Sequence, residues 1–390
     1  MTLGVVPRLA IYYFVMFGFS GAYQPFFPVW LDSIGYSAAA ISLLVGLPIM
    51  LRVPAAIAVG SVVDAFGDRR LTIIVMSVAA TLISAVFLVS HSVVAVGIAS
   101  CLLFVAFGIT QPVADALANS GDAESRARFG QVRLWGTVSY GAAAIGVGWL
   151  ITNAGAFVVP IWIIVILALR SAWALVLPRS PVETQASSGA SAPERWFSGW
   201  PLVKQPVFVV FAVGIGLSQA AHAMLNSFGA IHWGSLGYSG TMIGVFWGLG
   251  IGAEVVFFYF SKPIFARFSP AALLFATCAV AAVRMAIMAT DPPLPLLIVL
   301  QLSHGITFGA MALGLIHFVN KAVPDRLNAS AHGLGQAIGT GIISALAFVA
   351  SGPIYAALGA GGFLVMSAIA LVGVGASLYV MARWDGGHIV

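Results

Sequence analysis

Glu254, Arg284 and His304 are the side chains of this sequence best suited to moving a proton, because each stands inside a long apolar run. A charge at the centre of a bilayer costs about 2.5–3.5 kcal/mol even on lenient insertion scales, so each such group needs a reason to be there. A carboxyl group away from water holds its proton near neutral pH, and an approaching guanidinium releases it. A change in the distance between Glu254 and Arg284, or in the access of water, would load and discharge a proton. The alternative is a permanent ion pair that only fastens helices. Arg52, on another apolar run, has no acid within four residues. It suits the counter-ion of an anionic substrate, or a partner for Asp115 or Glu254. Arg170 lies one or two turns from the end of its run and is expected to snorkel to the interface.

These groups need a membrane to position them. Only 7% of the 390 residues are charged and 61% are hydrophobic, whereas a soluble domain carries roughly 25% charged residues. Lipid must be the main solvent, so the bilayer is the first partner. The net charge of +5 is spread one or two residues at a time between apolar runs, with no basic stripe for nucleic acid. Cys101 and Cys278 sit in apolar runs as small hydrophobes, without disulfide or metal-ligand spacing. The first run carries Gly, Pro and Gln at depth and reads as a span, not a cleaved signal. No Gly-x-Ser-x-Gly, His-x3-His, paired-acid or Walker-type motif is present, so an enzyme, a metal, a cofactor and ATP coupling are not expected.

Runs near the roughly 20 residues that span a bilayer fall at 9–31, 39–63, 71–90, 93–118, 129–152 and 156–177. A second set falls at 206–232, 240–261, 271–290, 294–318, 328–350 and 357–382. They predict an all-α polytopic fold of twelve helices in two six-helix bundles, 1–178 and 205–390. The segment 179–204 is rich in Ser, Ala, Gly, Gln and Pro and reads as a linker. Arg8, Arg69, Arg70, Arg126, Arg128, Arg179, Arg195, Lys204, Lys262, Arg267, Lys321, Arg326 and Arg383 all fall on one side. By the positive-inside rule that side, with both termini and the linker, is cytoplasmic. The halves repeat: Ser33-Ile34-Gly35-Tyr36-Ser37 and Ile41 recur as Ser235-Leu236-Gly237-Tyr238-Ser239 and Ile243. At the same offset Gly46 meets Gly248, Arg52 meets Glu254, Gln24 meets Asn226 and Ser20 meets His222. A parallel six-plus-six repeat with a midplane site follows.

Between the second and third runs, Gly60-x3-Asp64-x2-Gly67-x-Arg69-Arg70 resembles the cytoplasmic motif of the major facilitator superfamily. Gly60 would let helices approach and Gly67 permit a tight turn. Asp64 would latch one access state by pairing with a basic group or a helix N-terminus. The second half keeps only Lys262 and Arg267 of the counterpart. Asp115-Ala116-Leu117-Ala118-Asn119, Gly130-Gln131-Val132-Arg133-Leu134-Trp135-Gly136 and Gln219-Ala220-Ala221-His222-Ala223 resemble the phenylpropionate permease family of that superfamily. So do Gly237-Tyr238-Ser239, Ala253-Glu254-Val255 and Val283-Arg284-Met285, and the likeness thins after about residue 318.

The resemblance implies a proton-coupled symporter of the bacterial inner membrane, monomeric, importing a small organic solute by alternating access. Aromatic carboxylates are one substrate class of the family. Helices one, four, seven and ten line the cavity in the superfamily, which makes Tyr23, Gln24, Gln111, Gln219, His222, Asn226 and Gln301 binding candidates. Gln219, His222 and Asn226 step by three and four and share a helix face, though a lone intramembrane His also serves to bond helices together. A distant likeness to lactose permease places acidic, basic and imidazole groups for proton coupling on the helices of Glu254, Arg284 and His304. It also sets a carboxylate and an arginine on those of Asp115 and Arg133. Arg133 is then a bidentate partner for carboxylate or hydroxyls, or the two form a salt bridge between helices. Sugars and nucleosides therefore stay open as cargo. Proton-driven efflux is a further alternative, although Gly136, Gly141, Gly146 and Gly148 appear without the proline usual in antiporters. A receptor or assembly factor is the alternative outside transport.

Overall fold

The computed structural model describes residues 4–119, 129–179 and 199–390. Most of the linker, with Arg126, Arg128 and Arg195, lies outside the described residues, as does the side chain of Arg52. The described residues are helical, without a strand, in the manner expected. We number the long helices α1 (Val5–Ser33), α2 (Ala38–Phe66), α3 (Arg69–Val89), α4 (Val93–Asn119), α5 (Phe129–Ala154) and α6 (Val158–Ala174). The second set is α7 (Pro206–Ser235), α8 (Gly240–Tyr259), α9 (Pro270–Met288), α10 (Leu294–Ala322), α11 (328–358) and α12 (Gly362–Arg383). Among the described residues nine stretches are long and apolar enough to cross a bilayer, and one of them, Asp325–Arg383, contains both α11 and α12. Ala38–Leu51 and Val158–Ala174 are shorter apolar helices.

The polarity of the fold requires lipid. Leu82, Val94 and Leu346 are 70%, 69% and 60% exposed, while Ser77, Ser100 and Thr277 are wholly buried. That arrangement would aggregate in water and is stable when the outer surface meets acyl chains. Two packing patterns recur in both sets. α1 lies on α5 and α6 as α7 lies on α11 and α12, and α3 lies on α4 and α6 as α9 lies on α10 and α12.

The repeated pentapeptide adopts the same turn twice, for a chemical reason. Gly35 and Gly237 take φ of 86° and 89°, a left-handed conformation that side chains disfavour. The amides of Tyr36 and Tyr238 then return to the carbonyls of Leu31 and Trp233. Ser37 and Ser239 accept from Ala40 N and Met242 N at 3.3 Å and cap α2 and α8.

Two compact units emerge, Met1–Gln185 with Phe228–Gly248, and Ala186–Ser227 with Leu249–Val390. In the first, the start of α8 is pressed onto the end of α5. A Cβ on Gly240 would lie 2.5 Å from the Gly148 carbonyl oxygen, and one on Gly244 would strike the Ala144 carbonyl. Only glycine permits so close an approach. The Thr241 amide donates to Thr152 Oγ1 at 3.0 Å, and the two threonine hydroxyls lie 3.2 Å apart.

Candidate functional site

Two helices of the second half break where their histidines stand. α7 consists of Pro206–Ala220 and Ala223–Ser235, and the His222 amide at the break turns to the Gln219 carbonyl, 3.0 Å away. α10 consists of Leu294–Leu302 and His304–Ala322, and the Ile306 amide turns to the Ser303 carbonyl at 3.0 Å. Irregular backbone at membrane depth is tolerated where protein or a polar cavity satisfies it. Glycine then brings α8 against α10. A Cβ on Gly250 would sit 3.3 Å from the His304 side chain, and one on Gly305 would lie 2.5 Å from the Ala253 carbonyl oxygen.

The result is a chain of polar side chains in the second unit. His304 Nε2 is 3.8 Å from Glu254 Oε2. Arg284 Nη1 lies 3.4 Å from His304 Nδ1, and Arg284 Nη2 donates to Gln301 Oε1 at 2.9 Å. The guanidinium can only donate, so Nδ1 is the accepting nitrogen and the imidazole hydrogen sits on Nε2, aimed at the carboxylate. The chain runs inward: the Glu254 side chain is 26% exposed and that of His304 13%, and Arg284 and Gln301 behind them are buried at 2% and 4%. His222 Nδ1 donates to the Ser218 carbonyl at 2.8 Å, which leaves Nε2 as a buried acceptor. Phe308 stacks on His304 at 4.2 Å and meets His222 edge-on at 5.3 Å. The structure thus gathers Glu254, Arg284, His304 and His222, with Gln301 and Phe308. The expected Glu254–Arg284 pairing acquires an intermediary, since the imidazole touches both groups.

The first unit holds a second polar cluster. Tyr13 on α1 donates a short hydrogen bond to Asp115 on α4, and the exposed Arg133 on α5 is in electrostatic reach of the same phenol. Sequence reasoning missed Tyr13, because a tyrosine near a helix end has the pattern of an interfacial belt. Gln24 is exposed and accepts from the Tyr140 hydroxyl at 3.2 Å. Gln111, Gln219 and Asn226 are half-buried.

Three expectations need correction. Tyr23 is 5% exposed and stacked on Phe27 at 4.3 Å, with Phe19 and Phe104 around it, so its ring is packing and its hydroxyl is sealed. Among the described residues a Cβ at Gly60 would meet nothing within 4 Å, because Gly60 is on an exposed stretch of α2, so it does not serve close helix approach here. Arg170 does not snorkel: it is wholly buried over the Phe107 ring, 5.5 Å from its centroid.

The rest of the loop motif builds a joint. Gly67 ends α2 with φ 67°, as the turn expectation required. Asp68 caps α3 by accepting from Leu71 N at 3.1 Å. Arg70 donates a short bond to the Leu175 carbonyl just past the end of α6, and Arg8 donates to the Val176 carbonyl at 3.3 Å. Asp64 is exposed and Arg69 half-buried.

Comparison with known proteins matches this architecture. The model of the MFS_1 like family covers residues 6–365. The Escherichia coli (strain K12) "Probable 3-phenylpropionic acid transporter" is 30% identical over 376 residues, 95% of this chain and 97% of that protein. The maltose permease of Geobacillus stearothermophilus is 27% identical over 85% of this chain and 83% of its own. The solved nucleoside transporter NupG superposes with a TM-score of 0.83 at 17% identity, over 98% of this chain and 100% of that one. A bacterial homolog of the human lysosomal transporter Spinster, inward-facing and unoccupied, gives 0.74 at 14% identity over 97% and 96%.

Proposed function

Because the chain belongs to the MFS_1 like family of major facilitator transporters, we propose that it imports a small aromatic carboxylate in symport with protons. It is a multi-pass membrane protein and a secondary transporter by that membership. The observation that carries proton coupling is the chain Glu254–His304–Arg284–Gln301 inside the second unit. A carboxylate beside an imidazole, with a buried guanidinium behind, is a group whose proton occupancy answers to small shifts in distance. Glu254 is the proton carrier, His304 the intermediary and Arg284 the charge that favours release.

The carboxylate reading is supported by the relative named for 3-phenylpropionic acid. It is supported also by an excess of arginine over carboxylate within the spans, Arg52, Arg133, Arg170 and Arg284 against Asp115 and Glu254. Tyr13, Asp115 and Arg133 with Gln24, Gln111, Gln219, His222 and Asn226 are the binding candidates, and Arg52 is the candidate counter-ion. Asp68 and Arg70, which tie α3 to the turn after α2 and to the end of α6, belong with Asp64, Gly67 and Arg69 to the conformational latch. The carrier works as a monomer in the bacterial inner membrane with both termini in the cytoplasm.

The test is uptake of labelled 3-phenylpropionate by proteoliposomes under an imposed pH gradient. Glu254→Gln should abolish accumulation and leave exchange of substrate across the membrane. Normal accumulation by that variant would remove Glu254 from the mechanism. Failure of the acid to compete, with competition by maltose or uridine instead, would move the cargo to a sugar or nucleoside.

A further inference from the structure

Arg170 enters the reading above only as one of four positive charges, yet it is an enclosed, fixed charge of the first unit. Its side chain is wholly buried, and neither Nε nor either Nη has a hydrogen-bond partner. It reaches from α6 over Phe107 of α4 and lies in electrostatic reach of Tyr12 on α1, whose hydroxyl is also buried. A guanidinium stays protonated at any physiological pH. Contact with the face of a ring returns a small part of the free energy lost in burying a lone charge.

A charge sealed in this way does two things an exposed arginine cannot. No counter-ion atmosphere screens it, and the low dielectric around it carries its field outward. Tyr13, next to Tyr12 on α1, bonds Asp115, so the group that Arg170 acts on and a binding candidate of the first unit are joined through adjacent residues of one helix. Within the spans the positive groups stand at four against two carboxylates. A bound monoanion would reduce that excess from two to one.

We propose that Arg170 is a specificity-determining residue that favours anionic over neutral cargo through its field, without touching the cargo. This rests on the carboxylate reading given above. Between unit charges about 10 Å apart at an effective dielectric constant of about 20, the interaction corresponds to roughly tenfold in affinity. The chemical class it selects is therefore a monoanion over its uncharged isostere.

The experiment compares uptake of 3-phenylpropionate with that of its neutral amide, 3-phenylpropanamide, in proteoliposomes of the full chain. Arg170→Met should raise KM for the acid by about tenfold and leave that for the amide within about twofold. Arg170→Gln, which removes the charge and keeps a polar side chain, should lose the preference as Arg170→Met does. An equal loss for both substrates in Arg170→Met, or an unchanged ratio, overturns the proposal, since a packing role moves both alike. If Arg170→Met does not fold, the wild-type ratio is followed as salt rises. A ratio that holds supports a sealed charge, and one that collapses assigns the preference to exposed groups. Wild-type preference for the amide would instead sink the carboxylate reading, and this inference with it.

Discussion

His304 decides how the second-unit cluster works, because its two nitrogens face opposite charges. Nδ1 accepts from Arg284, and Nε2 points its hydrogen at Glu254. Any rearrangement that carries Glu254 away must also release the imidazole. His304→Ala should therefore reduce proton-driven accumulation by at least about 10²-fold, the scale of a positioned acid–base group, and spare exchange. Accumulation at the wild-type level would leave His304 a packing residue only. Gln301→Leu tests the support behind Arg284. It removes a hydrogen bond to a buried charge and should destabilise the protein by about 1.5–3 kcal/mol, measured by thermal unfolding in detergent. Glu254, Arg284 and His304 were legible in the sequence because a polar group stands out in an apolar run. Arg170 was misread because distance from a helix end does not tell which face a side chain occupies. Tyr13 was silent because its role depends on α4, more than a hundred residues away.

At the scale of elements, the joint between the end of α5 and the start of α8 is a place where the backbones run as close as glycine allows. Gly148 and Gly240 leave no room for a side chain, and Thr152 and Thr241 bring their hydroxyls within 3.2 Å. Replacing both threonines by cysteine places two sulfurs in reach of a disulfide. In a carrier that must open this end, oxidation should stop transport and a reductant should restore it. Unchanged transport by fully cross-linked protein would show that the joint stays shut throughout the cycle. Gly148→Val should disturb the same joint by overpacking, at about 1–3 kcal/mol, and lower uptake without cross-linking. The turns at Gly35 and Gly237 could be read from the pentapeptide, since glycine and a capping serine have local causes. The breaks at His222 and Ser303, and the π-helical stretch Ala337–Ile343 in α11, could not. Apolar composition is the same for an α-helix, a tightened turn and a π-turn, and only the neighbouring helices choose among them.

For the whole molecule, the charge ledger of the transport cycle sets what can drive it. The fold was legible from composition, because so few charges leave the chain no solvent but lipid, whereas stoichiometry depends on which acids change partner. The second-unit cluster contains a single carboxylate, Glu254, and α10 beyond His304 contains none, from Gly305 to Ala322. One carboxylate loads one proton. A monoanionic cargo moving with one proton carries no net charge across the bilayer, so the membrane potential, about 2.3 kcal/mol per charge per 100 mV, does no work on it. Uptake of 3-phenylpropionate should therefore follow an imposed pH gradient and ignore a potassium diffusion potential set with valinomycin at equal pH. Stimulation by an inside-negative potential would mean that net positive charge enters. A second proton site would then have to exist, and Asp115, held by Tyr13 in the first unit, is the group to examine by Asp115→Asn under the same potential.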